Sequence, residues 1–99
     1  MISIKMSIIY LFILTSTAFA GRGAELFKTC IRCHGVNGEG KLAEKSPQIA
    51  GQHEWYTIKA LNDFISGARK NPVMLPYIKN LSQSDFAELS AYIRKLKVK

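Results

Sequence analysis

The sequence predicts a small all-α domain. Three stretches repeat apolar residues at helical spacing, the clearest of them has well-marked ends, and no stretch alternates apolar and polar residues long enough to propose a sheet. No internal repeat, low-complexity tract or long linker interrupts it, so one domain is expected after residue 20.

The clearest helix spans residues 83 to about 97, with Phe86, Leu89, Ile93 and Leu96 on one face. Ser82 can cap it, Asp85 follows three residues on as in a capping box, and Leu81 and Phe86 can form a hydrophobic staple. Arg94, Lys95, Lys97 and Lys99 suit the negative end of the helix dipole. A second helix, residues 54 to 66, carries Trp55, Ile58, Leu61 and Ile65 toward one side and stops at Gly67. A third is short, residues 23 to 33, with Leu26, Phe27 and Ile31 as its apolar contacts. Two loops lie between. Residues 35–51 are rich in glycine and include Pro47; residues 68–80 contain Pro72, Met74 and Pro76. Both are longer than connectors need to be in so small a domain, so each is expected to have a role.

Residues 1–20 follow the plan of a secretory signal peptide. Lys5 supplies the early positive charge, an apolar run follows, and Ala18-Phe19-Ala20 makes an A-x-A cleavage pattern that would leave Gly21 first. A membrane-spanning helix needs about 20 predominantly apolar residues, more than this segment offers before Thr15, Ser16 and Thr17. The expectation is therefore an exported chain, periplasmic in a bacterium, whose folded domain is residues 21–99 with no stable membrane insertion after cleavage. A domain of that length seldom gains more than about 3–5 kcal/mol from a hydrophobic core alone, so a covalent staple is expected.

The chain has 14 Lys and Arg against 7 Asp and Glu; without Lys5 the balance is 13 against 7, a net charge of +6. Nucleic-acid binding would gather the basic residues in a stripe interleaved with aromatics. Here they are scattered from Arg22 to Lys99, which argues against nucleic acid and fits an acidic protein partner or an anionic membrane surface.

Cys30-Ile31-Arg32-Cys33-His34 is a complete C-x-x-C-H, the pattern of c-type haem attachment. Residues three apart on a helical turn share a face, so Cys30 and Cys33 can both reach the vinyl groups on one edge of a porphyrin. His34 is then carried under the iron. Three other readings are weaker. A thioredoxin-type redox pair expects a βαβ context. A zinc site would need Cys30, Cys33, His34 and His53, with adjacent Cys33 and His34 awkward for tetrahedral closure. A plain disulfide across so short a loop would constrain little of the unfolded chain.

The chain resembles the class I cytochromes c over nearly all of residues 21–99, most closely the small bacterial members of the c-four and c-five-five-three groups. The residues that carry the resemblance are Gly23, Phe27, Cys30, Cys33, His34, Gly35, Gly38 and Gly40, then Pro47 with Ile49-Ala50-Gly51-Gln52. Tyr56, Leu61, Phe64, Gly67, Arg69 and Met74 follow, and Leu81-Ser82, Asp85, Leu89, Ala91, Tyr92 and Ile93 complete the pattern. The resemblance implies three to four helices wrapped around one covalent haem c, with the first and last helices crossing near Gly23, Phe27 and Tyr92. It implies Met74 as the second axial ligand opposite His34, so that both hold the iron. It also implies that the Pro47 carbonyl accepts a hydrogen bond from His34. Trp55, Tyr56 and Arg69 are candidates to approach a haem propionate, although helical packing explains Trp55 equally well. His53, where the second helix begins, is the one rival to Met74.

The function expected is electron transfer, one electron at a time, by a carrier and not an enzyme, to redox partner proteins with acidic docking surfaces. The alternative is a haem-bearing subunit of a larger exported oxidoreductase. A gas-binding or peroxidatic haem protein would require Met74 to be off the iron.

Overall fold

The computed structural model describes residues 21–99. The expected signal segment, residues 1–20, lies outside the described residues. Five α-helices follow in order: α1 (Arg22–Phe27), α2 (Ile31–His34), α3 (Glu54–Ser66), α4 (Leu75–Ile78) and α5 (Gln83–Lys95). A 3-10 turn, Leu42–Glu44, interrupts the first loop, and the only β pairing among the described residues is an isolated bridge between Lys41 and Ser46. No helix among them is long and apolar enough to cross a membrane.

Helix α5 is the frame of the fold. The Ser82 hydroxyl accepts from the Asp85 amide at 3.0 Å, and the Asp85 carboxylate accepts from the Ser82 amide at 3.0 Å, so the expected capping box is complete. Phe86, Leu89 and Ile93 are buried along one face, together with Phe27, Leu61 and Ile78 from three other helices. The helix ends two residues short of the expected 97, where Leu96 turns to extended backbone.

Helices α1 and α5 cross through Gly23. A Cβ there would come within 2.6 Å of the Glu88 carbonyl oxygen and 2.7 Å of the Tyr92 Cβ, so only glycine allows this approach. Next to the crossing, the Phe27 and Tyr92 rings lie 5.3 Å apart. An ion pair closes the same junction: Arg22 Nη2 donates to Asp85 at 2.7 Å. That contact acts on the carboxylate already held by the Ser82 amide. The two hydrogen bonds, Ser82 first and Arg22 second, hold the Asp85 carboxyl below its ordinary value of 3.8.

The structure divides the expected helix at residues 23 to 33. It stops at Phe27, turns through residues 28–30, and resumes at Ile31. The local reason is hydrogen bonding: the Thr29 hydroxyl donates to the Leu26 carbonyl at 3.2 Å, and the Cys30 amide takes the Phe27 carbonyl three residues back at 2.8 Å. Such short-range bonds compete with the α-helical ladder.

Helix α3 keeps the expected bounds and ends on left-handed Gly67. Its buried face differs from the expected one. Leu61 is buried and Ile58 and Phe64 pack against the core, but Trp55 is 66% exposed and Ile65 42% exposed. Helices α3 and α5 run antiparallel. Asn62 and Gln83 exchange side-chain hydrogen bonds at 2.6 and 3.1 Å, while the Gly51 amide, just before α3, bonds the Ile93 carbonyl at 3.0 Å.

Candidate haem site

The motif forms a single helical turn. The His34 amide donates to the Cys30 carbonyl at 2.9 Å, four residues back, so Cys30 and Cys33 share a face with His34 directly after them. The two cysteines are not joined to each other in a disulfide. Burial pushes the Cys30 thiol up from its ordinary value, which keeps it neutral in the absence of a bond to sulfur.

His34 is 7% exposed. Its Nδ1 lies 2.8 Å from the Pro47 carbonyl oxygen. A carbonyl only accepts, so Nδ1 carries the proton and Nε2 presents a lone pair. The loop that delivers Pro47 is pinned to the motif by its backbone. The Gly40 amide donates to the His34 carbonyl at 2.7 Å, and the Ile49 and Ala50 amides share the Gly38 carbonyl at 2.9 and 3.0 Å. Gly40 sits at φ 84°, where a Cβ would lie 2.7 Å from the Gln48 nitrogen.

Facing this wall is the second loop, which the sequence suggested was irregular. The structure winds residues 75–78 into α4, with Pro76 in its first turn, where a missing amide costs no helical bond. Asn71 sets the entry: its Oδ1 accepts from the Val73 amide at 3.1 Å and the Met74 amide at 3.2 Å. Ile78, 2% exposed, anchors the exit in the core. Met74 lies half-buried between these two fixings and packs against the core.

Cys30, Cys33, His34, Pro47 and Met74 all line one cleft of about 280 Å³, with Ile78 in its wall. Two thiols on one turn, an imidazole with Nε2 uncommitted and a thioether from a separate loop make a donor set that fits haem c. Among the described residues no group of three or more His, Cys, Asp and Glu side chains is placed to hold a metal ion, so the zinc reading of the motif finds no site.

Residues 20–97 match the cytochrome c family. The chain belongs to that family. It is 44% identical over 72 residues to cytochrome c-553 of Helicobacter pylori, which covers 73% of this chain and 75% of that protein. To cytochrome c4 of Azotobacter vinelandii it is 39% identical over 80 residues, or 77% of this chain and 38% of the relative. A crystal structure of reduced recombinant cytochrome c4 from Pseudomonas stutzeri superposes with a TM-score of 0.74 at 35% identity, over 82% of this chain and 50% of that one. The chain thus spans half or less of the c4 proteins it matches. The all-α fold is that of a class I cytochrome c, and membership implies covalently bound haem c with its iron as the cofactor.

Three residues singled out from sequence are elsewhere. Tyr56 is 41% exposed and meets the edge of Trp55 at 5.8 Å. Arg69 is exposed and places its guanidinium 4.7 Å over the Phe64 ring. His53 is exposed and stacks on Trp55 at 6.3 Å. None of the three lines the cleft. Sequence reasoning missed Asn71, Tyr77 and Ile78. Asn71-Pro72 is a turn-initiating pair that could have disclosed the first of them.

Proposed function

We propose that this protein is an exported, single-haem c-type cytochrome that carries one electron at a time and catalyses no reaction of its own. When bound, haem c supplies a one-electron change at its iron. Cys30 and Cys33 hold it covalently. His34 would hold the iron through Nε2, and its bond to Pro47 fixes the ring orientation and raises the basicity of the imidazole. Met74 would hold the iron together with His34, a donor pair that raises the reduction potential and would leave no open position for a substrate. The observation that carries the reading is the meeting of the motif and Met74 in one cleft.

Export rests on the A-x-A pattern at residues 18–20, and the redox partners are proteins with acidic docking surfaces, matched to the basic chain. A second reading, a haem-bearing subunit of a larger exported oxidoreductase, is favoured by Val73 and Tyr77, which line the cleft yet are 70% and 50% exposed. A polypeptide that co-purifies at high salt would select it.

Expression with a c-type maturation system, followed by intact mass and a reduced-minus-oxidised spectrum, tests the proposal. The expected product begins at Gly21 and carries one haem that acidified organic solvent does not extract. Extractable haem, or zinc in its place, overturns it.

A further inference from the structure

One end of the molecule combines exposed aromatic rings with concentrated positive charge, and it contributes nothing to the cleft. Trp55 and Tyr56 occupy the first turn of α3, with His53 directly before it. The His53 and Trp55 rings are stacked and within 13° of parallel, and Tyr56 meets Trp55 edge-on, so each ring holds its neighbour in place at the surface. Leu61, on the same helix, is buried. The exposure of Trp55 is therefore a property of this end of α3 and not of the whole helix.

Because α3 and α5 are antiparallel, the chain's last residues share that end. The Gly51 amide bonds the Ile93 carbonyl, and a Cβ on Gly51 would lie 3.8 Å from the Leu96 carbonyl. From there Arg94, Lys95, Lys97 and Lys99 are all exposed, with Val98 exposed among them. None of the four bases makes an ion pair among the described residues. Glu54 on the facing turn of α3 and Glu39, next to the Gly38 that packs against Leu96, are the acidic residues nearby, so positive charge prevails four to two. No residue of α3, α5 or the last four positions lines the cleft.

We propose that this end docks on an anionic lipid surface, with Trp55 and Tyr56 at headgroup level and Arg94, Lys95, Lys97 and Lys99 over the phosphates. A cluster of four bases is the size at which attraction to anionic lipid becomes effective, and it acts within a Debye length of the surface. Tryptophan and tyrosine suit the boundary because each has an apolar ring with a polar atom at its rim. The two features need each other. Few bases alone bind weakly in salt, and a single aromatic pair buries too little area to hold a protein. Docked this way the protein lies on the bilayer without entering it, and the cleft mouth at Val73 and Tyr77 is left to redox partners.

The haem-loaded protein, purified from exporting cells, can be sedimented with vesicles of phosphatidylcholine containing phosphatidylglycerol, and with vesicles of phosphatidylcholine alone. Binding is expected only to the first, and to be reversed by high salt. The triple variant Lys95→Gln, Lys97→Gln, Lys99→Gln should bind at least about tenfold more weakly. Trp55→Ser, at an exposed position, should weaken binding without changing the haem spectrum. A control with the same loss of charge elsewhere, Lys28→Gln, Lys70→Gln, Lys79→Gln, should retain most of the affinity. Failure to bind phosphatidylglycerol vesicles overturns the proposal. So does a control triple variant that binds as weakly as the terminal one, because net charge alone would then explain the association. Neither outcome bears on haem attachment or ligation, which the spectrum reports separately.

Discussion

The two walls of the cleft are built differently. The His34 wall is a backbone structure: the imidazole bonds the Pro47 carbonyl, the Gly40 amide bonds the His34 carbonyl, and the Gly38 carbonyl takes two amides from the far end of the loop. The Met74 wall has local backbone bonds, Leu75 to Asn71 and Tyr77 to Met74, but is tied down at its ends by two side chains, the Asn71 amide at its entry and Ile78 at its exit. Backbone bonds within a short loop are hard to remove by one substitution, whereas a wall hung on two side chains can be loosened at either. The His34 side should therefore fail completely or not at all. The Met74 side should fail by degrees.

His34→Ala gives the largest expected effect. It removes the buried imidazole on which the Pro47 contact converges, and the mass spectrum should show little covalent haem, with loss of a cooperative melt by circular dichroism. Ile78→Ala comes next. Truncating a fully buried aliphatic residue costs about 2–5 kcal/mol, read as a lower denaturant midpoint with unchanged slope. Because Ile78 anchors the Met74 wall, the folded fraction should also bind added imidazole more readily than the parent. Asn71→Ala is milder. It removes the acceptor of two amides at a cost of about 1 kcal/mol, again with easier imidazole entry while haem attachment is retained.

The smallest effect lies away from both walls and depends on pH. Bonds from Ser82 and Arg22 depress the Asp85 carboxyl below 3.8, so its contribution is present above that ordinary value and is lost as pH falls through the depressed one. The melting temperatures of the parent and Asp85→Asn should differ at neutral pH and converge in acid. A difference that persists below the depressed value would show that the carboxylate charge is not what α1 and α5 share.

Legibility in the sequence follows the same division between local and distant causes. The start of α5 could be read because Ser82 and Asp85 bond to each other's amides, three residues apart, and need nothing else in the molecule. The motif turn could be read because Cys30, Cys33 and His34 fall within five consecutive residues. Trp55 was expected on the buried side of α3 because spacing shows which residues share a face but not where the neighbouring helix ends. The break after Phe27 depends on the Thr29 hydroxyl choosing the Leu26 carbonyl, a competition that apolar periodicity does not register. Helix α4 was hidden by Pro72 and Pro76, whose usual meaning is a loop, although the second of them suits a first helical turn.

Met74 tests the account most directly, because it joins the less secure wall to the proposed iron ligation. Met74→Leu nearly conserves volume and so separates ligation from packing. The oxidised variant should lose the sulfur-to-iron charge-transfer band, show a lower reduction potential and bind added imidazole, while its denaturant midpoint stays close to that of the parent. A Met74→Leu protein that keeps the band, the potential and its resistance to imidazole would contradict the account and place the sixth ligand elsewhere.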